Sequence, residues 1–438
     1  MSSSFIKDLA AVFKSKVAVI MFGLLSSIVT ARYLGPEGNG IIASLMVYPS
    51  LFMNIGSLGI RQSTTYFVGQ GKYGVNEVYG AVLSIWTLTS VFSLVSCYVL
   101  IQYFTSGSYS VLLIILAIAA IPFSLYTTYS SGIFLGQQKI KEFNRINWIP
   151  AAINLIITFL LIGIFPFGVT GSMIGTFSGV FILSFFVLKK MANLGSIRLN
   201  FDAKIMKEMV SLGIVYAVSL LVINLNYKVD IIILEKLSTA HAVGIYSKGV
   251  GIVNYLWQIP MLLSTLVFSR SAGSKDPKGF SIKVARLLRL SGIAVLVASI
   301  ILYFLSDMLI VKMYGEDFKE SSMVLKLLLP GVFLLTIYKV LNMDLAGKGK
   351  PWLSMFAMIP ALILNVSLNY LWVPVYGANG AALASTLSYI FAALVFLMVY
   401  SKAAGLPISK ILKFDQGDKT IFVALINKIR KRENIKIQ

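Results

Sequence analysis

Charge is scarce in this chain, and negative charge most of all. Of its 438 residues 13% are charged, with 17 acids against 38 lysines and arginines. A soluble domain carries about a quarter charged residues and is less than half apolar. Here 57% of residues are hydrophobic and the mean hydropathy is +0.84, which excludes a soluble globular domain. Cysteine is confined to Cys97, so neither an intrachain disulfide nor a metal–thiolate cluster can form. One histidine, His241, cannot build a zinc site, and no metal or cofactor is expected. The run Gly347-Lys348-Gly349-Lys350 lacks the spacing of a phosphate-binding loop, so the chain holds no ATP motor. No serine sits in a Gly-x-Ser-x-Gly elbow, and no paired carboxylates lie in an apolar run. A hydrolase or glycosyl transferase would need such an acid and base, so an enzyme is not expected. Residues at the N-terminus show no small-residue cleavage site behind a short apolar core, and no removable signal peptide is read there.

What is present is apolar sequence in runs of bilayer-crossing length, about 20 residues each. The expected protein is all-α and polytopic. A β-barrel is excluded, because barrel strands alternate in polarity over about 10 residues. The runs predict twelve transmembrane helices, at 15–34, 39–68, 76–104, 110–135, 143–165, 168–190, 205–235, 242–269, 283–306, 321–346, 352–373 and 377–401. Phe5, Leu9 and Phe13 recur at helical spacing in an amphipathic lead-in. With the N-terminus placed inside, 29 of the 38 cations fall in inside segments, 4 in outside connections and 5 within spans. Positive charge gathers on the cytoplasmic side. Both termini are therefore expected in the cytoplasm, and the basic balance reads as contact with anionic membrane lipids, not with nucleic acid. Residues 404–438 read as a basic tail with an amphipathic helix through Ile421, Phe422, Leu425 and Ile429.

The second half repeats the first. Leu135-Gly136-Gln137-Gln138-Lys139 matches Ala346-Gly347-Lys348-Gly349-Lys350, and Pro150 and Asn154 fall opposite Pro360 and Asn365. Pro166-Phe167-Gly168-Val169-Thr170-Gly171 matches Pro374-Val375-Tyr376-Gly377-Ala378-Asn379-Gly380, with one residue inserted. The turn Leu34-Gly35-Pro36-Glu37-Gly38-Asn39-Gly40 has a degraded copy at Leu237 to Tyr246, which pairs Gly40 with Gly244 at an offset of 204. Six spans per half is an even number, so the halves run parallel, related by an axis along the membrane normal. This sets an N-terminal six-helix lobe at 1–200 and a C-terminal one at 201–403. Transporters built this way put their site where the halves meet.

Polar residues inside the spans mark the candidate site, since a charge at that depth is expensive and functional by default. Arg61 lies well down the second span, with Gly56 and Gly59 before it and Gln62, Ser63, Thr64 and Thr65 after it. The seventh span carries Asn224 and Lys228 on one face and Asn226 and Asp230 on another. One face is expected to line a cavity and the other to meet a neighbouring helix. Asp230 then reads either as a coupling-ion site or as the structural partner of Lys248. Asn254 and Gln258 give the eighth span a polar face above Pro260, with Tyr255 and Trp257 beside it. Lys339 and Asp344 fall near the inner end of span ten, and Arg145 and Arg270 at inner helix ends. The excess of cations over acids suits an anionic cargo held by charge-assisted hydrogen bonds to phosphate.

Arg32-Tyr33-Leu34-Gly35-Pro36-Glu37-Gly38-Asn39-Gly40, Asp230 followed by Val243-Gly244-Ile245-Tyr246-Ser247, and Pro374 to Ala382 resemble the polysaccharide-exporter branch of the MOP flippase superfamily, over about residues 5–402. These are the Wzx-like O-antigen and exopolysaccharide flippases. The resemblance implies two six-helix lobes forming a V around a cationic cavity. It also implies transfer of an undecaprenyl-diphosphate-linked oligosaccharide from the inner to the outer leaflet of a bacterial or archaeal cytoplasmic membrane. On that reading Arg61, Lys228, Lys248, Arg145 and Arg270 are the anion contacts. Asn224, Asn254, Tyr255, Trp257 and Gln258 meet the sugars, and Asp230 and Asp344 serve coupling or ion pairing. The membrane potential and proton or sodium antiport stay open as driving forces. Lipid II flippases have two further spans that this chain lacks. A drug or cation exporter of the same fold and an integral-membrane polysaccharide polymerase are the alternatives.

Overall fold

The computed structural model describes residues 3–105, 107, 109–137, 139, 146–193, 201–272 and 274–414. Helix α1 spans Ser3–Ser57, α2 Ile60–Gln70, α3 Val75–Phe104 and α4 Val111–Gly136. Helix α5, Ile149–Phe159, ends in a π turn at Leu160–Ile164, and α6 spans Gly168–Ala192. Then come α7, Ala203–Leu237, α8, Ala240–Ala272, α9, Pro277–Tyr314, and α10, Ser321–Gly347. Helix α11, Met355–Ala404, and the short α12, Ile408–Leu412, complete the described chain. No strand occurs among the described residues. Arg145 and the amphipathic helix expected over residues 421–429 lie outside them. Eight helical stretches among the described residues are long and apolar enough to cross a membrane, so the protein is a multi-pass membrane protein.

Two of those stretches, 15–70 and 351–404, hold 56 and 54 residues. At 1.5 Å per residue each measures about 80 Å, more than twice an apolar core of about 30 Å. Each is folded back at a glycine. Gly35 (φ 61°) breaks α1 and Gly377 (φ 53°) breaks α11. A side chain disfavours this left-handed region, and Pro36, with its φ pre-set, starts the next helical segment. The break orphans carbonyls, and Asn39 covers two of them. Its Nδ2 donates to Thr30 O at 2.9 Å and Gly35 O at 2.7 Å.

The span expected over 39–68 is not one helix. Leu58 (φ 42°) and Gly59 (φ 63°) both turn left-handed, so α1 stops and α2 restarts immediately before Arg61. Close packing accounts for the glycine. A Cβ on Gly59 would overlap the carbonyl of Gly213 in α7, and one on Gly213 would overlap the carbonyl of Leu58. Inside an apolar slab, small residues let backbones approach where no hydrophobic drive exists between helices.

The chain forms two compact units: Met1–Gly251 with Ser306–Leu327 and Leu362–Ser385, and Ile252–Leu305 with Leu328–Ala361 and Thr386–Gln438. The first has a core of Tyr79, Leu83, Tyr126, Ile133, Phe134, Leu183, Val187 and Met191 from α3, α4 and α6. Tyr79 and Tyr126 join hydroxyls at 2.9 Å inside it. In the same unit the two hairpin turns interlock. A Cβ on Gly40 would overlap Ala240 O, and one on Gly244 would overlap Pro36 O. Pro36 and Ala240 stand at the same offset as Gly40 and Gly244. Each turn therefore offers the other a glycine and a carbonyl in the same sense, as a two-fold contact does. In the second unit Tyr338 packs edge-on against Phe396 at 4.8 Å, and Arg289 donates to the carbonyls of Lys410 and Ile411, anchoring α12.

The Gly59 crossing is testable. Gly59→Ala adds both overlap and left-handed strain, and should cost about 2 kcal/mol or more. Gly292→Ala, which meets nothing within 4 Å, should leave stability unchanged or raise it. Thermal unfolding of the two purified variants in detergent checks this.

Candidate functional site

Among the cations within the apolar helices of the first unit are Lys16 in α1, Arg61 at the start of α2 and Lys228 in α7. Among the described residues none of the three has an ion pair or a side-chain hydrogen bond. Lys16 lies within electrostatic reach of Arg61. Arg61 is solvent-exposed although protein surrounds most of it, as a side chain on a concave wall would be. It is also the second residue of α2, whose N-terminus no side chain caps. A helix N-terminus is a partial positive charge, so a cation there is misplaced unless an anion joins it. Arg61, Lys16 and the end of α2 thus concentrate positive charge at one place, with no carboxylate paired to it among the described residues. Nothing in the sequence pattern singles out Lys16, which stands where the amphipathic lead-in meets the first expected span, or its place beside Arg61.

Lys228 and Asn224 are half-buried, while Asn226 and Asp230 on the other face are fully buried. Asn224 Nδ2 donates to Leu220 O at 2.7 Å. Asp230 has no cation against it. Its Oδ2 accepts from Tyr246 OH at 2.9 Å and Ser385 Oγ at 2.6 Å, and its Oδ1 from Asn369 Nδ2 at 2.8 Å. Asn369 Nδ2 also donates to Asn365 Oδ1 at 2.5 Å. The expected alternative partner, Lys248, is elsewhere. Its Nζ reaches Ser27 O at 3.1 Å, Ser27 Oγ at 3.2 Å and Thr30 Oγ1 at 3.2 Å. The structure therefore rules out the Asp230–Lys248 pair, because hydroxyls and an amide fill every approach to the carboxylate. Asn365 and Asn369, one turn apart in an apolar helix, were the available signal for this cage.

A second carboxylate escaped the sequence reading. Glu235, near the end of α7, accepts from Tyr109 OH at 2.6 Å and from Tyr48 OH at 3.0 Å.

The second unit holds the remaining candidates. Asn254 is exposed on α8, while Tyr255 and Gln258 are half-buried. Trp257 is 5% exposed, with the Lys339 ammonium 4.0 Å over its ring and Tyr389 tilted against it at 5.8 Å. Arg270 is exposed in the last turn of α8, where a cation suits the helix C-terminus. Asp344 is fully buried and paired with Lys348 at 2.8 Å. It also accepts from Ser271 Oγ at 2.6 Å, Ser281 Oγ at 2.7 Å and Tyr400 OH at 2.7 Å. These contacts tie α8, α9, α10 and α11 at one point.

A family model described as polysaccharide biosynthesis protein matches residues 5–269, and a second, MatE, matches residues 216–371. The chain belongs to the polysaccharide biosynthesis protein family. It is 26% identical over 421 residues to the capsular polysaccharide biosynthesis protein CapF of Staphylococcus aureus, covering 91% of this chain and 99% of that one. It is 25% identical over 395 residues to a protein of Shigella flexneri named as an O-antigen transporter, covering 85% and 92%. The lipid II flippase MurJ in an inward closed conformation has the same fold, with a TM-score of 0.76 at 17% identity over 95% of this chain and 92% of that one. This all-α fold is that of the MOP superfamily, whose members are transporters and flippases, not enzymes, and the polymerase alternative falls with it.

The apolar stretch of α7 begins only at Tyr216, and before it one charged strap crosses from the α2–α3 turn to the start of α7. Lys72 Nζ and Tyr73 OH both reach Glu208 Oε2, at 2.7 and 3.0 Å. The Lys72 hydrogen bond holds the Glu208 carboxyl below its usual range, and Glu208 raises Lys72. A depressed carboxyl stabilises the fold above its unfolded pKa and loses that contribution as pH falls. A raised lysine stabilises below its unfolded pKa and loses it as pH rises. The strap is thus complete between about pH 5 and 10. Because it is exposed, Glu208→Gln should remove only a small, salt-sensitive stability difference between pH 7 and pH 4. Paired thermal unfolding curves at the two pH values check the sign.

Proposed function

We propose that this protein is a flippase for lipid-linked anionic oligosaccharides, moving undecaprenyl-diphosphate-linked repeat units from the cytoplasmic to the outer leaflet for surface polysaccharide synthesis. The observation that carries this is the positive charge of Arg61, Lys16 and the uncapped α2 N-terminus, with Lys228 on α7, all without acidic partners. A diphosphate supplies the missing anion through charge-assisted hydrogen bonds. The exposed Asn254 and half-buried Gln258 and Tyr255 are the sugar contacts, with Arg270 at the end of α8 and, from the sequence expectation alone, Arg145 as further anion contacts. The lipid tail stays in the bilayer. Matches to CapF and to an O-antigen transporter support the cargo class.

The proposed architecture is twelve transmembrane helices in two parallel six-helix lobes, 1–200 and 201–403, forming the V of a MOP transporter. The termini and the basic tail of 404–438 lie on the cytoplasmic side of a bacterial or archaeal membrane. Support comes from the reciprocal contact of the two hairpins at an offset of 204, which parallel halves would make. Transport follows by rocking of the lobes. Moving negative charge out of a negative-inside cell gains about 2.3 kcal/mol per charge per 100 mV, enough to drive the step.

Antiport at Asp230 is the second driving force. Its support is a fully buried carboxylate that holds the hydroxyls of Tyr246 and Ser385 and the amide of Asn369, itself bonded to Asn365, a polar site in an apolar slab that can take up a proton or a sodium ion. If coupling runs through it, Asp230→Asn should abolish transport that an imposed ion gradient drives. Transport driven by membrane potential alone should survive in the same proteoliposomes.

The cargo is tested in a deletion strain complemented with variants. Arg61→Ala and Lys228→Met should each lower surface polysaccharide about tenfold or more, the effect of losing one charge-assisted hydrogen bond. Lipid-linked repeat units should build up facing the cytoplasm. Normal polymer with either variant would dismiss the phosphate assignment. Normal polymer in the deletion strain with new sensitivity to cationic dyes would favour a drug exporter, the reading that the MatE match over 216–371 supports.

A further inference from the structure

The interlocked hairpins form a junction closed by backbone. No side chain separates Gly40 from Ala240 or Gly244 from Pro36. One lysine is buried within that junction. Lys248 lies one turn beyond Gly244 in α8 and is 7% exposed. Its ammonium meets neutral oxygens of α1, Ser27 O, Ser27 Oγ and Thr30 Oγ1. Aromatic rings of Tyr314 and Phe318 stand 5.3 and 6.0 Å away. Among the described residues no carboxylate reaches it, and the two acids nearest along the chain are already held, Glu235 by Tyr48 and Tyr109 and Asp230 by Tyr246, Ser385 and Asn369. Arg32 is different. It sits on the exposed rim and caps the carbonyls of Val311, Lys312 and Met313 at the end of α9.

Three hydrogen bonds to neutral oxygens fix the geometry of the Lys248 ammonium without replacing its hydration. A buried charge whose partners do not neutralise it is a net cost, and replacing it with an apolar group of like volume is often stabilising. Parting of α8 from α1 would return the charge to water. We propose that Lys248 is a positioning residue that keeps the α1–α8 junction metastable, its unneutralised ammonium favouring separation while Ser27 and Thr30 hold it closed. A plain latch makes a different prediction. In a latch, removing the lysine and removing its acceptors both loosen the junction. Here the two changes act in opposite directions.

The inference rests on the transport reading only for its purpose, because the junction can be measured without cargo. Spin labels at Glu37→Cys and Lys236→Cys, both exposed positions at the two turns, report the separation by pulsed electron resonance. The full chain is used, in nanodiscs, with Cys97 left buried. Lys248→Met should reduce the long-distance population about tenfold, and the Ser27→Ala/Thr30→Val pair should raise it by a similar factor. Adding Lys248→Met to that pair should bring the population back down. Monodisperse elution of each variant shows that it folds. If Lys248→Met lengthens the distances as the acceptor pair does, the lysine is a latch and the proposal fails. It also fails if Lys248→Met leaves the distribution unchanged. Normal surface polysaccharide with the expected distances would instead leave the junction as proposed and count against its part in the transport reading.

Discussion

A charge or a broken helix inside an apolar slab has to be satisfied by protein, by water or by a ligand, and much of this structure follows from that constraint. The chain meets it in three ways. Acids are caged: Asp230 by two hydroxyls and an amide, Asp344 by three hydroxyls and Lys348. Backbone breaks are covered, as Asn39 covers the one at Gly35. The cations Lys16, Arg61 and Lys228 receive neither treatment. Among the described residues both fully buried acids are satisfied by protein groups, while these three cations are left open.

Much of this was legible in the sequence, and particular residues show why. Gly35-Pro36 announced a helix reversal because only glycine takes the required φ and only proline starts the next segment without a lost hydrogen bond. Arg61 stood out because arginine in an apolar run has few bland explanations. The alternating faces of α7 also held: Asn226 and Asp230 went inward, and Asn224 and Lys228 stayed half-accessible.

Other features were hidden for physical reasons. A glycine that permits close packing and one that adopts a left-handed φ look identical in sequence, so the break at Leu58–Gly59 passed for packing. The partners of Asp230 come from α8 and α11, and lone hydroxyls on distant helices carry no periodic signal. Lys248 and Lys228 looked alike as cations within spans. Only the packing separates one pressed against α1 from one left half-open. Lys16 gave no signal because periodicity sees a face and not what lies across from it.

The reciprocal glycine contact carries a further consequence. A surface in which each turn presents the other with the same glycine and the same carbonyl is self-complementary. Between two copies of one chain, a single glycine would serve both contacts. In one chain that carries both turns the two contacts are independent, free to differ everywhere except at the backbone approach. The turns fit that freedom: Leu34 to Gly40 and Ser238 to Gly244 share little else, yet Gly40 and Gly244 are both glycine. A change at either now unbalances one side of the joint, an asymmetry that a homodimer could never have explored.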